Sequence, residues 1–402
     1  MLCNRGNMYC GGQGVYLYYL SRELQRLGHQ VHVIVGPPYP QLADGIIVHK
    51  VTNLNFFEAK SHFLPQSNPF QVFTPLNFYE LGVVRLGVFP EMFSFSIRAY
   101  LKVRESLART RFDIIHDNQT LGYGMLLMKS FRIPVVATIH HPLPIDRKAD
   151  LAQAANFREK LERIMFYPFF MQHIVARSMD RVIAVSQSSA EEVRNIFGVS
   201  PEKLRVVHNG IDTDVFRRMN GVKKPYSLIT VANTQDRKKG VVYLLQAVNL
   251  LSMELDVRLT MVDDPASGFA SRLVKKYDLQ GRVAFTGRLS TEELVKYYNS
   301  AEVAVTASVY EGFGLPAAEA MACGVPVVAT RAGALPEIVD HGANGILVPP
   351  ADARALAEAI RQLLLDGALR KRMGEQGRRK IEQRFSWRDA ALKTLAVYEE
   401  ML

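Results

Sequence analysis

Residues Ser308–Glu337 read SVYEGFGLPAAEAMACGVPVVATRAGALPE, and this stretch decides the fold. Its core is a glycine-bearing turn, Glu311-Gly312-Phe313-Gly314, followed by an apolar run that predicts a helix and carries a second carboxylate, Glu319. Glycine adopts backbone conformations closed to other residues and lets the chain come close to a ligand, which Gly312 and Gly314 offer here. Pro316 suits the first turn of a helix, where no amide donor is required. The turn is therefore expected to present backbone N–H groups and a positive helix end to an anion such as a diphosphate. Glu311 and Glu319 flank that anion site. They are placed to accept hydrogen bonds from hydroxyls at the two ends of a long, polar, diphosphate-bridged ligand.

The pattern resembles the signature of the retaining glycosyltransferases of family 4, which have the GT-B fold. The likeness continues through Gly324-Val325-Pro326-Val327-Val328-Ala329 and Gly333-Ala334-Leu335-Pro336-Glu337. Two glutamates at this spacing carry little weight alone, because helices are full of them. EGFG-L-P in front and G-V-P-V-V-A behind make the match specific. The resemblance implies an α/β protein of two Rossmann-like domains facing across a cleft. Residues 1–205 would form the acceptor-binding domain and 206–385 the nucleotide-sugar donor domain, with a terminal helix in 386–402 packing back on the first.

A length of 402 residues suits two such domains. Hydrophobic residues at 48% and charged residues at 22% are ordinary for a globular protein with a full core. No apolar run of about 20 residues predicts a membrane span, and no basic-then-apolar leader precedes the first strand. Cys3, Cys10 and Cys323 lack paired spacing, so neither a disulfide framework nor a zinc site is expected, and the reducing cytoplasm is the expected compartment. The net charge of +10 is uneven: residues 1–210 hold 23 Lys and Arg against 16 Asp and Glu, the remainder 26 against 23. A basic half attracts anionic substrates or an anionic membrane. No nucleic-acid module accompanies it.

Apolar, β-branched runs alternate with amphipathic segments, which argues for βαβ units and parallel sheets. Strands are expected in the first half at Val31–Val35, Ile46–Val51, Asp113–His116, Val135–Ile139, Arg181–Val185 and Leu204–Val207. Met1–Asn4 reads as a first strand cut short, as though the true start lay upstream. The turn Gly11-Gly12-Gln13-Gly14 then leads into a helix; as a dinucleotide fingerprint it fails, because G-x-G-x-x-G is absent. In the resembled family this loop lies at the interdomain cleft, near the acceptor and the donor phosphates. Pro65–Pro90 is rich in Phe, Pro, Asn and Tyr with little periodicity and reads as an insertion, a lid or acceptor loop. Ile115-His116-Asp117-Asn118 and Thr138-Ile139-His140-His141 end two strands, and ligands of open α/β sheets sit beyond such ends. The resemblance gives His140 contact with donor sugar and phosphate. Asn156–Met179 interleaves Arg158, Lys160, Arg163 and Arg177 with aromatics, which fits either a core helix with one solvated face or peripheral contact with the inner face of an anionic membrane.

Val207–Asp212 resembles the family's entrance to the second domain. Asp212-Thr213-Asp214 matches a D-x-D metal motif only superficially, since it sits in a turn, and no metal ligand is expected. Strands are expected at Ser227–Ala232, Arg258–Val262, Val283–Thr286, Val303–Thr306, Val325–Ala329 and Gly345–Val348. Asn233–Gly240 is a cationic turn ahead of a helix, which suits a diphosphate. The family commonly has an arginine six residues before a lysine-glycine pair. Lys239-Gly240 matches the pair, Asn233 stands at the arginine's position, and Arg237 or Lys238 is the candidate replacement. Val262-Asp263-Asp264-Pro265 departs where relatives have a glycine-containing turn, so no contact is carried over there.

The resemblance implies a retaining, metal-independent transfer of a sugar from a nucleotide-diphospho-sugar to a glycan, lipid or small-molecule acceptor, with no cofactor. Lys239, Arg237 and the Gly312–Leu315 amides would stabilise the leaving diphosphate in place of a metal. Glu311 would hold sugar hydroxyls, Glu319 ribose hydroxyls, and His140 would stabilise developing charge as the domains close. Competing readings are a same-fold epimerase or glycan phosphorylase, and a non-catalytic sugar-nucleotide-binding protein.

Overall fold

The computed structural model describes residues 1–6, 12–53, 73–85, 90–145, 169–221, 223–263 and 268–402. The chain divides into two compact units, Met1–Val207 with Ala390–Leu402, and His208–Asp389. In the first unit the strands are β1 (Leu2–Cys3), β2 (His32–Val35), β3 (Ile47–Lys50), β4 (Ile115–Asn118), β5 (Val135–Ile139), β6 (Arg181–Ala184) and β7 (Leu204–Val206). They form one parallel sheet in the order β3-β2-β1-β4-β5-β6-β7. In the second, β8 (Ser227–Val231), β9 (Arg258–Val262), β10 (Val283–Phe285), β11 (Val303–Thr306), β12 (Val327–Thr330) and β13 (Gly345–Val348) pair in parallel as β10-β9-β8-β11-β12-β13.

Parallel strands need crossovers, and these helices bury both sheet faces, so strands read as unbroken apolar runs. β5 (VVATI), β12 (VVAT) and β13 (GILV) are buried along their whole length. The crossover helices carry their own start signals. Asp352 caps 353–365 by accepting from the amides of Arg354 and Ala355, and Ser290 with Glu293 forms a capping box at the start of 291–300.

Three expectations shift. β4 was expected at Asp113–His116 but runs two residues later, so His116, Asp117 and Asn118 lie inside a central strand and not beyond its end. All three are at most 1% exposed. Side-chain partners make this burial tolerable: Asp117 accepts from the Leu121 amide at 2.8 Å and Asn118 donates to the Gln13 carbonyl at 3.0 Å. β12 likewise starts at Val327, because Pro326 has no N–H to give the ladder. The third shift lies in Pro65–Pro90, where the described part contains a helix, Pro75–Val84. Thr74 caps it and Pro75 opens it, while Glu80 inside it is buried against Arg98 and Ser94. Residues 65–72 and 86–89 lie outside the described residues.

β1 is indeed short, two residues, yet it occupies the middle of its sheet. The terminal helix, Trp387–Glu399, reaches the first unit's polar interior. Tyr398 meets His116 Nδ1 at 2.5 Å, His116 Nε2 meets Thr138 Oγ1 at 2.7 Å, and Thr138 Oγ1 meets Tyr16 Oη at 2.8 Å. Beyond the helix, Glu400 bridges Arg181 on β6 and Arg205 on β7 at 2.9 and 2.6 Å. Of 156–179, only Phe169–Ser178 is described, as a helix whose Arg177 donates to the Phe197 carbonyl at 2.8 Å. Among the described residues no helix is long and apolar enough to cross a membrane.

Tyr398→Phe removes one buried partner of His116 and is expected to lower stability by about 1–2 kcal/mol in urea unfolding. Leu392→Ala, at a position 47% exposed on the same helix, is expected to change it by under about 0.5 kcal/mol.

Candidate active site

Each sheet reverses its strand order once, between β1 and β4 in the first unit and between β8 and β11 in the second. Ligands of such sheets bind outside the carboxyl ends of the strands at that reversal. In the second unit the turns that follow β8 and β11 are thus neighbours, and three contacts tie them. Lys239 Nζ donates to both oxygens of Glu311, at 2.9 and 3.2 Å. The Val309 amide donates to the Lys238 carbonyl at 2.7 Å. Gly240 lies so close to the Ala307 carbonyl that a Cβ there would fall 1.9 Å from its oxygen.

Glu311 is held from three sides. Ser308 Oγ donates to its carboxylate at 3.0 Å, and the Ala334 amide donates to its carbonyl at 2.9 Å. Gly333, with φ +52°, presses on the same peptide, where a Cβ would fall 2.0 Å from the Glu311 carbonyl. Phe313 anchors the turn by its ring, which is buried with centroids 6.0 Å from Phe385 and 6.3 Å from His208. Gly314 is left-handed, φ 104°, and opens the helix Leu315–Ala322 with no side-chain cap and no acidic residue in its first turn. Gly240 opens 241–251 in the same way, directly after Arg237, Lys238 and Lys239. Two helix starts without side-chain caps, with a lysine beside them, give this edge a positive character.

Glu319 lies one turn into its helix, half-buried, where Tyr298 Oη donates to its Oε2 at 3.0 Å. Burial pushes its carboxyl up to about 7, against the stabilising Tyr298 bond. Burial, reinforced by the Glu319 charge, raises the Tyr298 phenol well above its ordinary value, so it stays a donor.

Two expected cations part company. Lys239 joins Glu311, but the Arg237 guanidinium stacks over the Phe269 ring, 5.7 Å from its centroid. Asn233, at the arginine's place, accepts from the Gln235 amide at 3.0 Å and so shapes the turn. Asp263 accepts from the Thr234 amide at 2.6 Å, while Asp264 and Pro265 lie outside the described residues. Asp212 accepts from the amides of Asp214 and Val215, a turn-closing role. No cluster of three metal-ligating side chains occurs among the described residues.

In the first unit, Gly12 is left-handed, φ 67°, and starts the helix Gln13–Arg26 with neither a side-chain cap nor an acidic residue in its first turn. Gly14 is buried in that turn, and Gly11 lies outside the described residues. His140 follows β5, 9% exposed, its Nε2 2.7 Å from Asn118 Oδ1 and its ring edge-on to Tyr16 at 4.8 Å. Gln119, with φ 57°, accepts from the His140 amide at 2.6 Å and donates to the His141 carbonyl at 2.8 Å. Burial, then the charge of His141, lowers the His140 ring to about 3, so it is neutral near pH 7.

A family described as Glycosyltransferase Family 4 matches residues 10–215, and one described as Glycosyl transferases group 1 matches 212–380. The MMP alpha-(1->4)-mannosyltransferase of Mycolicibacterium hassiacum is 40% identical over 408 aligned residues, covering 100% of this chain and 98% of that protein. The chain is a family 4 glycosyltransferase. Among solved structures, sucrose-phosphate synthase from Thermosynechococcus elongatus superposes with a TM-score of 0.74 at 22% identity, over 100% of this chain and 98% of that one. Anabaena Alr3699/HepE in complex with UDP and glucose gives 0.71 at 20%, over 99% of each chain. At such identities the likeness is one of fold, and that fold is GT-B.

The glycosyltransferase thus has a sugar-nucleotide chemistry to perform, and several residues around its expected site groups were not foreseen. Ser308 and Tyr298 hold the two glutamates, and Asn118 and Gln119 hold His140. Ser308 lay in the quoted stretch and Asn118 in a strand-end string, but only the folded contacts assign them a task. Tyr298 carries no sequence signal, being 21 residues from Glu319.

The raised Glu319 carboxyl sets the sign of a pH effect. A free glutamate ionises near its ordinary value, whereas Glu319 in the folded protein keeps its proton up to about 7. Its contribution to stability is therefore full below about pH 4.5 and is lost as pH rises through about 7. Glu319→Gln lacks this loss, so in urea unfolding it is expected to gain on the wild type between about pH 5 and 7 and to hold that gain above. Parallel pH profiles for the two proteins would show that Glu319 titrates normally.

Proposed function

We propose that this glycosyltransferase moves a mannosyl group from a nucleotide-diphospho-mannose to a hydroxyl of an acceptor sugar, with retention of configuration and without a metal ion or cofactor. The observation that carries the reading is the Lys239–Glu311 ion pair, set between two uncapped helix starts at the strand-order reversal of the second unit. An incoming diphosphate takes the ammonium and the amides at 312–315, which leaves the Glu311 carboxylate to accept hydrogen bonds from sugar hydroxyls. Glu319 accepts from ribose hydroxyls. Arg237 reaches the diphosphate by leaving the Phe269 face.

The bonds balance simply. The acceptor oxygen attacks the anomeric carbon as the bond from that carbon to the phosphate oxygen breaks. The leaving phosphate takes the acceptor's proton on the same face, which retains configuration, and the products are a glycoside and a nucleoside diphosphate. No side-chain nucleophile is required. The sugar and the α-(1→4) linkage are carried over from the 40% identical mannosyltransferase of Mycolicibacterium hassiacum. The 40% identical relative is a mannosyltransferase, which favours transfer over epimerisation, phosphorolysis or binding alone. The acceptor belongs to the first unit, and the reading includes a cytoplasmic site of action with peripheral contact to anionic lipid through the helix at 169–178, where Phe170 is 77% exposed.

The test incubates the purified protein with GDP-, UDP- and ADP-sugars and mannoside acceptors, with and without EDTA, and reads the product anomer by proton NMR. An α-linked product that survives EDTA, with kcat/KM down by about 10²–10³ in Lys239→Ala, is expected. A β-linked product, or loss of turnover in EDTA, would overturn the proposed mechanism.

A further inference from the structure

The hydrogen-bond chain behind His140 has a fixed direction. It ends on two backbone carbonyls, Arg5 and Gln13, which can only accept. Cys3 Sγ donates to the Arg5 carbonyl at 3.1 Å, and burial pushes its thiol up to about 12, so it keeps the proton it donates. Asn118 Nδ2 donates to the Gln13 carbonyl at 3.0 Å and to Cys3 Sγ at 3.4 Å. Both amide hydrogens of Asn118 are thereby directed away from His140, and its Oδ1 faces His140 Nε2 at 2.7 Å. An amide oxygen accepts only, so the proton of the neutral ring sits on Nε2. Nδ1 is then a lone pair, and it has no hydrogen-bond partner among the described residues.

The backbone is fixed as well. Gln119, in a left-handed conformation unusual for a residue with a side chain, spends its amide on the His140–His141 peptide, and Ser189 Oγ donates to the His140 carbonyl at 3.1 Å. The titratable groups around the ring are Tyr16 from the helix at 13–26, His116 from β4 and His141 on its own loop, with Cys3 and Asp117 behind Asn118. Among these only Asp117 is a carboxylate, and it bonds to the Leu121 amide.

We propose that Asn118 is a positioning residue that fixes His140 as its Nε2–H tautomer, so that the ring offers Nδ1 as a neutral acceptor to a sugar hydroxyl and not as a donor to a phosphate oxygen. The identity of the hydroxyl rests on the transferase reading above. The tautomer does not. It also divides labour: phosphate recognition falls to Lys239 and the helix starts, and His140 reads a hydroxyl.

The full-length protein, labelled with ¹⁵N-histidine, is examined by NMR, with the His140 signals assigned by their loss in His140→Gln. Nδ1 of His140 is expected to be unprotonated and unchanged from about pH 5 to 8. Asn118→Asp places a carboxylate on Nε2–H, so its ring is expected to take a second proton in the neutral range. Its pH–rate profile then gains an acidic loss absent from the wild type, because a protonated Nδ1 no longer accepts. In Asn118→Ala, kcat is expected to fall on the order of 10- to 100-fold through misplacement of the ring. A wild-type proton on Nδ1, or an Asn118→Asp profile matching the wild type, overturns the proposal. The wild-type spectrum decides it even where the variants do not fold. An Nε2–H ring in a protein that transfers no sugar leaves the proposal intact and rejects the transferase mechanism instead.

Discussion

A lysine and a glutamate on different turns meet in this protein because backbone is pressed against backbone on either side of them. Gly240 against the Ala307 carbonyl, and Gly333 against the Glu311 carbonyl, are approaches that any Cβ would block. The turns after β8 and β11 are thereby set at one separation, and the Lys239–Glu311 pair spans it. The pair is partly buried, 25% and 12% exposed, so each charge is desolvated enough that losing its partner matters. A ligand that replaces the carboxylate on Lys239 with phosphate, and the ammonium on Glu311 with hydroxyls, satisfies both groups at once. The site at rest thus holds both charges in balance with each other.

The first unit solves a different problem. Polar residues fill the carboxyl ends of its central strands, and nearly every one is buried. Most are tolerated because they hydrogen-bond to one another and to the backbone, and the chain through Asn118 and Cys3 ends on backbone carbonyls that fix where its protons sit. Tyr398, His116, Thr138 and Tyr16 form a side-chain hydrogen-bond chain beside the ring of His140, and burial lowers His116, like His140, to about 3. Two neutral histidines in one polar interior therefore act as shaped dipoles and not as charges.

Much of this was legible beforehand. Strands at Val135–Ile139, Arg258–Val262, Val303–Thr306 and Gly345–Val348 were readable to the residue, because short stretches rich in apolar and β-branched residues mark them. The glycine turn at 311–314 and its proline-opened helix were legible from the steric demands of turns, and the Lys239-Gly240 pair from the family resemblance. The misread elements are those where polarity did not mean exposure. His116–Asn118 resembled a loop because central strands seldom carry such residues, and Pro75–Val84 hid its helix in residues of modest helical propensity. Ser308, Tyr298, Asn118 and Gln119 act through contacts that spacing along the chain does not encode.

Unit one is discontinuous: Ala390–Leu402 belong with Met1–Val207. The bond from His116 to Tyr398 joins residues 282 positions apart. During synthesis, therefore, the seven-stranded sheet leaves the ribosome long before the helix that covers the ring of His116, and the whole of the second unit is made in between. For that interval the hydrogen bond between His116 and Tyr398 cannot form, and the polar interior beside His140 lacks that partner. The first unit can close only once residues 390–402 have been made, so translation order makes the second unit the earlier of the two to be complete.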